Sequence, residues 1–104
     1  NRLFHKAIHL PAPRGTPVVA AAAGTVATVR HEGAYRRFVI LDHHNGYRTL
    51  YAHLNDFHVR AGDRVGAGQS IGTIGKSGNA TGYHLHYEVH HNGQTVDPIA
   101  YVPR

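Results

Sequence analysis

The sequence predicts an all-β fold: a small β-sandwich or barrel-like arrangement of short antiparallel strands joined by glycine-rich hairpins. Three observations predict it. Twelve glycines and five prolines cut the chain into short runs. Those runs are rich in Val, Ile, Thr and Tyr, residue types that fit a pleated surface. No stretch of eleven or more residues keeps a helical apolar period. With 104 residues the chain suits one compact core, so 1–104 is expected to be a single domain, excised from a longer precursor.

In chain order, strands are expected at Pro17 to Val19, Gly24 to Arg30, Phe38 to His43, Tyr47 to His53, Arg64 to Ala67, Ser70 to Ile74 and His84 to His91. The alanine run at 20–23 offers one helical turn, which Gly24 closes. Turns fall at His44-Asn45-Gly46, Ala61-Gly62-Asp63 and His91-Asn92-Gly93, where Gly or Asn tolerates positive φ. The segment VRAGDRVGAGQSIGTIG (59–75) sets tight glycine turns between short strands, with Val65 and Ile71 inward. Curled hairpins of this kind build small sandwiches or barrels. In YHLHYEVH (83–90), alternation puts Leu85, Tyr87 and Val89 on one face and His84, His86, Glu88 and His90 on the other.

Composition narrows the function classes. With no cysteine, disulfides and thiolate metal sites are excluded and histidine becomes the candidate ligand. No apolar run approaches the roughly twenty residues of a membrane span, and no signal peptide is recognisable at Asn1; no membrane insertion is expected. A formal charge of +5 favours an anionic partner. Because Arg14, Arg30, Arg36, Arg37, Arg48, Arg60 and Arg64 are scattered rather than gathered on a basic helix, an acidic wall polymer ranks above nucleic acid. Gly75-Lys76-Ser77 is not a phosphate loop, since GxxxxGK[ST] needs glycine where Ser70 stands. A biotinyl or lipoyl carrier is disfavoured, because no lysine sits in an MKM-like hairpin tip.

Three histidine clusters are candidates for chemistry. His84 and His86, two apart on a strand, point the same way and can share a site. His5 and His9 are four apart ahead of Pro11 and Pro13, and Lys6 stands where an HExxH zinc helix needs Glu. His53 closes the apolar strand ending in YAHL. Glu88 shares the His86 face, as an acceptor orienting an imidazole or as an exposed acid. His31, His43, His44, His58, His90 and His91, most of them at turns or strand ends, are expected to face solvent.

Read together, HKAIHLPAP, GTPVVAAAAGTV, YAHL, GDRVGAGQSIGTIGKSG, TGYHLHYEV and VDP give the chain an order and spacing that resembles the lysostaphin-type, or LytM-like, zinc metallopeptidases. The likeness spans nearly the whole chain and implies a fold of the duplicated hybrid motif type. By this resemblance His5, His9 and His86 are metal ligands holding zinc, and His53 and His84 are catalytic, either one serving as the base. Tyr83 or Tyr51 would add a hydrogen bond there. The implied reaction is hydrolysis of peptidoglycan stem or cross-link peptides through a metal-activated water. The implied setting is extracellular or periplasmic, in a bacterial cell envelope, with the chain a monomer. The alternative on the same fold is a binding or regulatory module that acts on other wall enzymes.

Three positions depart from the family pattern. Ala7 replaces a glycine, Tyr83 a proline, and His9 an aspartate. Neutral imidazole is a good zinc ligand at about 2.0 to 2.1 Å, so three histidines and a water remain a workable set. Losing the carboxylate raises the charge of the site by one unit, which strengthens the Lewis acid and lowers the pKa of bound water.

Overall fold

In the computed structural model of the protein, residues 8–33, 36–75 and 83–97 are described, with the backbone alone for residues 8, 9, 32 and 36. Those residues form ten strands: β1 (Ile8–Pro11), β2 (Pro17–Val19), β3 (Gly24–Glu32), β4 (Arg36–Asp42), β5 (Tyr47–Ala52), β6 (Leu54–Phe57), β7 (Arg64–Val65), β8 (Ser70–Ile74), β9 (His84–His91) and β10 (Gln94–Val96). The expected all-β class is what forms. All pairings are antiparallel.

Seven strands make one sheet in the order β1-β9-β5-β4-β3-β7, with β10 also on β9, and β2-β8-β6 make a second. β1 pairs with the first half of β9 and β10 with its second half, which makes β9 an interior strand along its length. Between the sheets lies the main core: Val26, Val39, Leu41, Tyr51, Tyr87 and Val89 from the large sheet meet Val18, Leu54, Ile71 and Ile74 from the small one. Val65 and Ile71 are buried as expected. Phe38, Leu50 and Ala52 form a separate buried cluster, with Ile40 packed against it. The cross-strand register puts it on the opposite face of the large sheet, the face that carries His86 and Glu88.

Several boundaries differ from expectation, each for a local reason. Arg64 to Ala67 shortens to Arg64–Val65, because Gly66 opens a turn that Gln69 closes through both its backbone and its side chain. The alanine run forms no helical turn. Ala20 instead exchanges backbone bonds with Gln69 and Gly68, and the Ala21 amide donates to the Tyr51 hydroxyl at 2.9 Å. The turns at 44–46, 61–63 and 91–93 do place His44, Gly46, Gly62, Asn92 and Gly93 at positive φ.

One junction positions the site. β5 ends at Ala52 in the large sheet and β6 begins at Leu54 in the small sheet. The change of sheet is made at one residue, His53, with φ at 64°. A non-glycine residue there is uncommon and costs roughly 1 to 3 kcal/mol, so the surroundings must impose it. Gly75 does so: its amide donates to the His53 carbonyl at 2.9 Å. A Cβ on Gly75 would stand 2.8 Å from the Asn55 nitrogen and 2.9 Å from the Leu54 carbonyl carbon, so only glycine fits against this corner.

Candidate active site

β9 alternates as the sequence suggested. Leu85, Tyr87 and Val89 are buried in the main core, while His84, His86, Glu88 and His90 occupy the other face. The pairing of Ala52 with His86 brings the end of β5, and therefore His53, beside β9. The His53 and His86 rings meet edge to face, with centroids 5.5 Å apart and planes at 85°, and His53 Nδ1 is buried. His84 lies one strand repeat from His86 on the same face, half-buried. The structure thus brings together His53, His84 and His86.

The other two expected ligands are less fully visible. His9 is in register with His86 across the β1–β9 pair, which sets the two backbones within about 4.5 to 5.5 Å of each other. His5 falls outside the described residues. Among the described residues, no three His, Asp or Glu side chains form a metal cluster.

Glu88 resolves to the orienting alternative. It is buried at 8% relative exposure, and its two oxygens meet two imidazoles: Oε2 with His86 Nε2 at 2.7 Å and Oε1 with His90 Nε2 at 2.8 Å. The expectation that His90 faces solvent is therefore corrected, since a buried carboxylate needs donors on both oxygens and His90 supplies one.

A second histidine chain sits on the core face of the same sheet. His43 Nδ1 meets the Ala23 carbonyl at 2.8 Å and its Nε2 meets Thr49 Oγ1 at 2.8 Å. Thr49 Oγ1 in turn lies 2.7 Å from the Tyr51 hydroxyl. These contacts pin the alanine loop to β5, so His43 is also not the solvent-facing histidine expected. His91 is partly covered as well, stacked on Tyr47 with centroids 4.1 Å apart. His31, His44 and His58 are exposed as expected.

Of the two tyrosines expected at the site, Tyr51 lies elsewhere. Tyr51 is 1% exposed in the main core, paired with Tyr87 across β5 and β9. Burial raises the pKa of both phenols. Tyr83 packs against the same core. In YRTLYA both alternate sets are largely buried, so period-two reasoning had no contrast from which to tell which face Tyr51 takes.

The profile of Peptidase family M23 matches residues 3–98. The chain belongs to that family. Lysostaphin is among its structural relatives: the catalytic domain of that antimicrobial peptidase from Staphylococcus simulans superposes with a TM-score of 0.85 at 30% identity, over 93% of this chain and 77% of that one. A zinc containing peptidase from Vibrio cholerae superposes with a TM-score of 0.84 at 34% identity, over 89% of this chain and 29% of that one. In sequence, the peptidoglycan DD-endopeptidase ShyC of Vibrio cholerae is 41% identical over 98 residues, covering 89% of this chain and 23% of ShyC. The chain spans about a fifth to two fifths of the length of such curated relatives.

Proposed function

We propose that this domain of Peptidase family M23 is a zinc-dependent endopeptidase that hydrolyses stem or cross-link peptides of bacterial peptidoglycan. The observation that carries the reading is the meeting of His53 and His86 at the sheet corner, 5.5 Å between rings, with His84 on the same strand face. Nothing in a structural core requires a histidine held at φ 64° against a second one. Strain of this kind gathers where geometry serves chemistry.

The donor set suits zinc. His86 has the carboxylate partner that metal-ligating histidines carry on their other nitrogen, and His9 stands in register beside it. His5, His9 and His86 would hold the ion, a three-histidine set with room for water. Bound zinc would polarise the scissile carbonyl and acidify that water. His53 and His84 do the protein's share of the work, one accepting the water's proton and the other steadying the oxyanion by hydrogen bonding. The basic charge helps draw in the acidic wall polymer. In this reading residues 1–104 are one domain of a longer, monomeric envelope protein acting outside the cytoplasm.

The test is a metal assay followed by a digest. Purified protein should hold one zinc per chain and release peptides from purified peptidoglycan in a chelator-sensitive way, and His84→Ala should stop the release. Zinc uptake with no release by the wild type would sink the enzyme reading. It would favour a regulatory or binding module, the outcome to which His9 in place of the family's carboxylate is most relevant.

A further inference from the structure

Glu88 and His90 form a connected unit with His86. The three side chains lie on one face of β9 at alternate positions. Their exposure rises outward, with Glu88 at 11%, His86 at 15% and His90 at 33% of the side chain. Leu50 of β5 stands opposite Glu88, and Arg48 stands opposite His90. An ionised carboxylate has acceptors only, so a Glu88 bonded at both oxygens draws a proton onto Nε2 of each ring. A neutral imidazole carries one proton and one lone pair. With the proton on Nε2, the lone pair of His86 is on Nδ1.

We propose that Glu88 and His90 are a positioning pair that fixes the tautomer and tilt of His86, presenting Nδ1 to the metal, with His90 as the outer clamp. The terminal torsion of a carboxylate is broad and roughly two-fold, so a second tether matters. His90 holds the second oxygen at 2.8 Å and opposes that rotation, which keeps the acceptor for His86 at 2.7 Å. The unit begins at the active-site corner, where His86 meets His53, and reaches partly to solvent at His90, which with Asp42, Arg48 and Asn92 lines an open cavity of about 610 Å³.

The inference rests on the zinc reading only for its purpose, and the experiment separates the two. Metal-free protein labelled with 15N at histidine is read by long-range proton–nitrogen correlation at a pH of about 8, above the ordinary imidazole range. Wild type should show both His86 and His90 as the Nε2–H tautomer. Glu88→Ala should convert His86 to a mixture of tautomers, and zinc affinity measured against a competing chelator should fall about 10- to 100-fold. His90→Ala should partly mix the His86 tautomers and weaken zinc binding by a smaller factor. His90→Gln, whose amide can donate to the same oxygen, should restore both. A wild-type His86 protonated at Nδ1, or a His86 tautomer unmoved by His90→Ala, overturns the proposal. If Glu88→Ala does not fold, the wild-type and His90 spectra decide. If wild type binds no zinc, the function proposed above fails while the spectra still judge the positioning pair.

Discussion

The two faces of the large sheet each carry a chain of hydrogen bonds that includes histidine, and they are used in opposite ways. On the core face, His43, Thr49 and Tyr51 run from the Ala23 carbonyl to the Ala21 amide. Both ends are backbone, so the chain is closed and serves to hold a loop. On the other face, His86, Glu88 and His90 end in imidazole rings, one of them against His53. An imidazole joined through one nitrogen to a carboxylate has its other nitrogen directed elsewhere, and that nitrogen can do chemistry. The lesson is that histidine count and spacing do not identify a reactive histidine; the partner of each ring nitrogen does.

The sharpest way to break this comparison is at the corner. His53→Asn keeps a residue type that tolerates positive φ but removes the imidazole. Peptidoglycan turnover should fall by roughly 10² to 10⁴, while the thermal midpoint stays level or rises. A parallel loss of stability would mean that the ring is held there for packing. The converse substitution is on the core face. Tyr51→Phe removes the acceptor of the Ala21 amide and the partner of Thr49 and should cost about 1 to 3 kcal/mol in urea unfolding. Turnover at saturating substrate should change little, and a large fall would place the core chain in the mechanism.

Alkaline pH sharpens the contrast further. Burial raises the pKa of Tyr51 and Tyr87 above the ordinary 10.0. Their contribution is complete below that value and is lost as pH rises past it, because the unfolded chain gives up the proton first. The slope is up to about 1.4 kcal/mol per pH unit for each phenol. Unfolding midpoints measured between neutral pH and pH of about 11 should fall in wild type and fall less in the Tyr51→Phe, Tyr87→Phe double variant. The smallest effect is at the end of β4. The His44 amide holds the Asp42 pKa below the ordinary 3.8, with Arg48 adding to it. That contribution is present above the ordinary value and lost as pH falls through the lowered one. Asp42→Asn should therefore lose less stability on acidification than wild type does.

Much of this was legible in the chain. β9 was read to the residue because its alternation is complete, and β2 and β8 were read the same way between clear punctuation. β1, β6 and β10 were missed: LNDF and QTV are too short and too polar to show a period, and they become strands by pairing, β6 with the distant β8 and β10 in a tight hairpin with β9. The gathering of His53 and His86 followed from likeness to a family, and the structure supplies its geometric cause in the Ala52–His86 register. What the sequence could not show was the pairing of individual ring nitrogens at His43 and His90. The His43 bonds depend on a loop carbonyl and a neighbouring strand that no local pattern specifies, whereas the alternation of β9 puts His90 and Glu88 on one face without fixing which ring nitrogen meets which oxygen.

The single-residue passage of the chain from one sheet to the other at His53 makes this histidine a gauge of the distance between the sheets. Any loosening of the packing there, well short of unfolding, moves His53 relative to His86, which belongs to the large sheet alone. On slow heating, turnover should therefore disappear several degrees before the circular dichroism of the strands does, an ordering that a paired activity and spectroscopic melt would show directly.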